Sequence, residues 1–161
     1  MRTIIAISML LLALAAIGRT PEEKSGTVEI MRTIRGEEGG VNPALLAAKR
    51  ITRPSLPDHY DTPNFRVHYT LSGGDAVDSV GYVHKIGEYL ERSRAAYVDT
   101  MGYLPPPSDD PLGGDGRYDV YLTNLSSYGL TWPGSDGPAE WEDWKSYIEI
   151  ENDFDGVYAN D

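Results

Sequence analysis

The 161-residue chain contains no cysteine. Disulfides, thiolate zinc sites, iron–sulfur clusters and a cysteine nucleophile are thereby excluded together, and an exported protein of this kind must rely on its core or on bound ions. Basic residues are scarce, with 14 Lys plus Arg against 25 Asp plus Glu and a formal charge of −11. That balance argues against nucleic-acid partners and anionic membrane surfaces, because a phosphate backbone demands a basic stripe. It fits either solubility or calcium binding. Histidine is sparse too: His59, His68 and His84 stand at neither H-E-x-x-H nor H-x-x-E-H spacing. They read as surface or half-buried residues without catalytic duty. No G-x-S-x-G elbow is present, and no apolar run reaches the ~20 residues that span a bilayer. Internal repeats and low-complexity tracts are absent as well.

Hydrophobic residues make up 40% and charged residues 24% of the chain, which argues against disorder throughout and for one domain with a single core. The first stretch reads as a targeting signal. Met1-Arg2-Thr3 is a short positive start, Ile4 to Ile17 is apolar but for Ser8, and Ala16-Ile17-Gly18 offers small residues to a signal peptidase. Residues 1–18 are therefore predicted to be removed, leaving a secreted protein without membrane contact. Residues 19–57 are polar and broken by Pro21, the glycine-rich run at 36–40, Pro54 and Pro57. They read as a leader, either a pro-segment or a linker, with one short helix from Asn42 to Arg50.

The folded domain is expected over 58–161. Phe65, Val67 and Tyr69 alternate with Arg66 and His68, which predicts a strand with one buried side and His68 on the other. Val83, Ile86, Leu90 and Tyr97 repeat at helical spacing, predicting a long helix from Asp75 or Asp78 to about Met101. Lys85, Glu88, Glu91 and Arg92 are placed on its outer side. Gly102 suits its C-terminus, and Pro105-Pro106-Pro107 forbids continuation. Further strands are predicted at Tyr118–Leu122, Gly129–Trp132 and Ser146–Glu151. The fold class is α+β: a mixed sheet of three to four strands with one long helix packed on it. Such a sheet needs more apolar cover than one helix supplies, so a second helix is expected beyond Asp161.

Two acidic loops are candidates for calcium. Asp109, Asp110 and Asp115 lie in a Gly/Asp-rich loop, and Glu151, Asp153 and Asp155 place carboxylates at alternate positions before Gly156. Turn chemistry accounts for the same residues. Eleven tyrosines with Trp132, Trp141 and Trp144 raise a second possibility, a sugar-stacking surface, against the plainer one that they complete the core. A complete exported calcium- or carbohydrate-binding module is thus one reading of the chain.

Three segments carry a resemblance. Asp61-Thr62-Pro63-Asn64-Phe65-Arg66-Val67-His68-Tyr69-Thr70, Gly114 through Leu122, and Tyr147 through Phe154 resemble the N-terminal subdomain of a family of secreted zinc metalloproteases with the zincin fold. The similarity covers residues 59–158. It implies a zincin-like subdomain in which strand, helix, strand, edge strand and strand precede an H-E-x-x-H helix. It also implies protein or peptide substrates for the whole enzyme and zinc as cofactor only where that helix exists. Gly129, Leu130, Thr131 and Trp132 would then border the substrate cleft. No catalytic or zinc-ligand residue transfers, since H-E-x-x-H is absent from the 161 residues, and this polypeptide alone is expected to be inactive.

Overall fold

Phe65, Val67 and Tyr69 do form one side of a strand, and the computed structural model shows what they pack against. It describes Thr27 and residues 53–108, 111–136 and 144–154. The targeting signal expected at 1–18 and the helix expected at 42–50 lie outside the described residues. The elements run β1 (Asp58–Asp61), β2 (Phe65–Tyr69), α1 (Val80–Arg94), β3 (Tyr118–Thr123), β4 (Gly129–Asp136) and β5 (Trp144–Glu151). Five strands form one sheet in the order β1-β2-β3-β5-β4. The three central strands are parallel, and β1 and β4 run antiparallel at the edges. The fold is α+β, with a mixed sheet and one long helix among the described residues.

The fifth strand corrects the expected three to four. Asp-His-Tyr-Asp at β1 has neither alternation nor apolar density, and it is a strand because the edge of β2 takes it up, His59 opposite His68. Propensity is a weak guide where cross-strand pairing supplies the order.

Helix α1 begins later than the apolar spacing suggested. Val77 is drawn to the sheet by its N–H, which donates to the Thr70 carbonyl at 2.9 Å. Ser79 then caps the helix, its hydroxyl accepting from the Tyr82 N–H at 3.3 Å. Val83, Ile86 and Leu90 face Phe65, Val67, Val120 and Leu122, and these residues form the core. Gly87 is buried at the crossing: a Cβ there would stand 2.9 Å from both the Tyr60 ring and the Thr62 methyl. Its lack of a side chain is what lets α1 lie close over β1 and β2.

The last turns of the helix part from the expectation. Ala95–Thr100 is π-helical, with the Met101 N–H reaching back to the Ala96 carbonyl at 3.0 Å. The wider turn inserts residues into the repeat and rotates the apolar stripe away from the sheet. Tyr97, expected in the buried stripe, is 57% exposed for this reason, beside Met101 at 63%. Gly102 adopts φ +76° and ends the helix in the left-handed conformation expected of it.

Glu91 also corrects its expected outward position. Its carboxylate accepts from the Thr62 hydroxyl at 2.7 Å, the Asn64 N–H at 2.8 Å and the Asn64 side-chain amide at 2.7 Å. The helix thereby holds the β1–β2 turn. Burial alone would push this carboxyl up, but those hydrogen bonds outweigh it and hold the acid below its usual range. Because α1 lies over β1 and β2, cover thins across the sheet. Val120 and Leu122 are fully buried, whereas Ile148 and Ile150 on β5 are only partly so.

Candidate functional site

Residues that alternate with the core point to the second face of the sheet, and there they build a polar and aromatic network. Asp119, in the middle of β3, is 1% exposed. Its carboxylate meets His68 Nε2 at 2.8 Å and the guanidinium of Arg53. The His68 ring stacks on Tyr121 with centroids 4.3 Å apart and planes 6° from parallel. Tyr121 meets Tyr147 edge-on at 5.5 Å, and the Arg53 guanidinium lies 4.8 Å above the Tyr147 ring. Arg53, Asp119, His68, Tyr121 and Tyr147 thus close a ring of contacts. Burying Asp119 is tolerable only because both a cation and an imidazole face it. Burial pushes the Tyr147 phenol up, so it stays neutral.

Sequence reading missed this network. Arg53 falls within 19–57, the stretch expected as leader, and its side chain reaches the sheet. A signal for Asp119 did exist, since an acid centred in the apolar run of β3 shares the face of Arg66 and His68 and needs a partner. Nothing in the sequence pointed to Arg53 as that partner. His68 sits on the face expected of it but is buried there, because Asp119 and the Tyr121 ring enclose it, which corrects the surface or half-buried position expected. His84, on α1, lies against Tyr60 with ring centroids 4.3 Å apart.

The four residues proposed as a cleft edge, Gly129, Leu130, Thr131 and Trp132, lie together on β4, the outermost strand. Leu130 stands opposite Glu149 and Trp132 opposite Tyr147, which puts Trp132 at the end of the aromatic row on the second face. The Tyr128 carbonyl accepts from Glu151 N–H at 3.1 Å. Backbone groups alternate along an antiparallel ladder, so residues 128, 130 and 132 turn toward β5 and residues 129, 131 and 133 turn outward. The outward Thr131 N–H donates to the Thr27 hydroxyl at 2.9 Å. Pro133 carries no N–H.

The acidic loops take different forms. The Asp115 carboxylate meets Arg66 Nη2 at 2.8 Å and also the Arg117 guanidinium, and it accepts from the Arg117 backbone N–H at 2.9 Å. Arg66 in turn binds Asp61 at 2.7 Å, holding that carboxyl below its usual range. Asp115 therefore fastens the loop before β3 to the start of the sheet. Asp109 and Asp110 lie outside the described residues, as does Asp155. Glu151 is 1% exposed, and its carboxylate accepts the Leu125 N–H. Burial holds this acid above its usual range, with the neighbouring Asp153 acting in the same direction. Among the described residues, no three His, Cys, Asp or Glu side chains are grouped to hold a metal ion. None of the described helices is long and apolar enough to cross a membrane.

The arrangement offers two things chemically: a strand edge with outward hydrogen-bonding groups, and a rigid buried network behind it. No protein-family model, no curated protein and no solved structure matches the chain.

Proposed function

We propose that this chain is the N-terminal, non-catalytic portion of a secreted zinc-dependent metallopeptidase, inactive by itself, with β4 bordering the substrate cleft. The observation that carries the reading is the path of the chain. A strand, a helix, a parallel strand, an antiparallel edge strand and a returning parallel strand follow one another in β2, α1, β3, β4 and β5. That is the order the resemblance implies for a zincin-like subdomain, and its three matched segments fall on β2, β3 and β5. The half-buried Ile148 and Ile150 add support, because they leave an apolar strip beside α1 of the kind a second helix covers.

Zinc does not fit the residues present. His68 is committed to Asp119, and His84 stands apart against Tyr60. H-E-x-x-H occurs nowhere in the sequence. No step of hydrolysis is therefore assigned to these residues; on this reading metal ligands and the general base come from a helix outside the 161 residues. What β4 contributes is pairing. An extended peptide can add to a strand edge through main-chain hydrogen bonds, with pockets for alternate side chains giving selectivity. The test is the reading frame beyond the codon for Asp161, where an H-E-x-x-H motif is expected.

A further inference from the structure

Strand edges are hazards as well as binding sites, and β4 carries two devices that limit pairing. Over Gly129–Pro133 the outward positions are Gly129, Thr131 and Pro133. Proline has no donor, so over this stretch an added strand finds only the N–H groups of Gly129 and Thr131. The second of these is already taken. Thr27, whose backbone is helical, lies 104 residues upstream and accepts the Thr131 N–H on its hydroxyl at 2.9 Å.

A helical residue cannot continue the ladder of a sheet. Its hydroxyl ends the hydrogen-bonding series where an incoming strand would extend it. Arg53 supplies a second attachment between the chain upstream of β1 and the sheet, through buried Asp119 and the Tyr147 ring. Two residues upstream of β1 thus meet the sheet, Arg53 at its second face and Thr27 at its outer edge. We propose that Thr27 is an intramolecular cap on the β4 edge, and that an extended peptide must displace it to pair with Thr131. The regulatory meaning of the cap rests on the reading of β4 as the border of a substrate cleft; the capping contact does not.

Amide hydrogen exchange on the full chain separates the two. Thr27→Val keeps the shape of the side chain and removes the acceptor. It should speed exchange at Thr131 about tenfold, the factor that one hydrogen bond of ordinary strength supplies. Val120 and Ile148 should not change, which would show that global stability is intact, and Thr27→Ser should retain the protection. The pairing arm uses a synthetic Ser-Tyr-Ile-Glu-Ile-Glu peptide, the sequence of residues 146–151 that already pairs with β4. Added to the Thr27→Val protein it should restore slow exchange at Thr131, at a concentration that leaves the wild type unaltered. Unchanged exchange in Thr27→Val would overturn the cap. Equal peptide binding to both proteins, or to neither, would overturn the competition. Failure of the peptidase reading would appear elsewhere, in the reading frame.

Discussion

Asp119 is the residue on which the second face of the sheet depends. A carboxylate 1% exposed, with Arg53 and His68 as its partners, is costly to leave half-satisfied. Arg53→Met removes the cation while keeping most of the side-chain bulk. The loss of stability should be about 3 kcal/mol, measured by denaturant unfolding. In the double variant with Asp119→Asn the added cost should be much smaller, because no buried charge is stranded; equal costs would show that Arg53 acts through packing alone. Glu91 gives a prediction in pH. Its folded-state pKa lies below the ordinary value, as does that of Asp61. A depressed carboxyl contributes stability that is full above the unfolded value of about 4 and is lost as pH falls through the folded one. Glu91→Gln turns an acceptor into a donor facing Asn64 and should cost about 1–3 kcal/mol at pH 7. The difference from wild type should shrink below about pH 4. A difference that stayed constant down to pH 2 would contradict the assignment.

At the scale of elements, α1 and its seat on β1 show how much was legible. Alternation in Phe65–Tyr69 and the spacing of Val83, Ile86 and Leu90 are signals of periodicity, and both led to the observed core. The π-helical segment left no such mark, because the spacing of Tyr97 from Leu90 fits an ideal helix that the backbone does not follow there. Strand β1 was illegible for another reason: its order comes from pairing with β2, and a sequence window cannot contain a partner. Likewise the four residues of β4 were found as a short extended piece, while its eight-residue length depends on β5 beside it. Gly87 tests the seat. Alanine would gain about 1 kcal/mol in helix propensity. It would lose more by forcing Tyr60 and Thr62 apart, since both would stand 2.9 Å from the new methyl. A net destabilisation of about 1–2 kcal/mol is expected for Gly87→Ala in thermal or denaturant unfolding. A stabilised variant would mean that β1 yields easily and that the close approach is incidental.

At the scale of the whole molecule, the described residues cover the sheet unevenly. Helix α1 lies over β1 and β2, Val120 and Leu122 are sealed, and Ile148 and Ile150 remain half open on the same face. The second face carries the Arg53–Asp119–His68 cluster, and the outer edge carries Thr27 against Thr131. The candidate site was legible in sequence only as the β4 edge. The network behind it joins residues as far apart as Arg53 and Tyr147, whose meeting is set by strand order and by no local pattern.

The central claim is tested most directly by reading the coding sequence of the source beyond the codon for Asp161. An open frame is expected that enters an amphipathic helix bearing H-E-x-x-H, whose apolar side can cover Ile148 and Ile150. A stop codon directly after Asp161, or a continuing frame without that motif, would contradict it and remove zinc-dependent hydrolysis from the function of this protein.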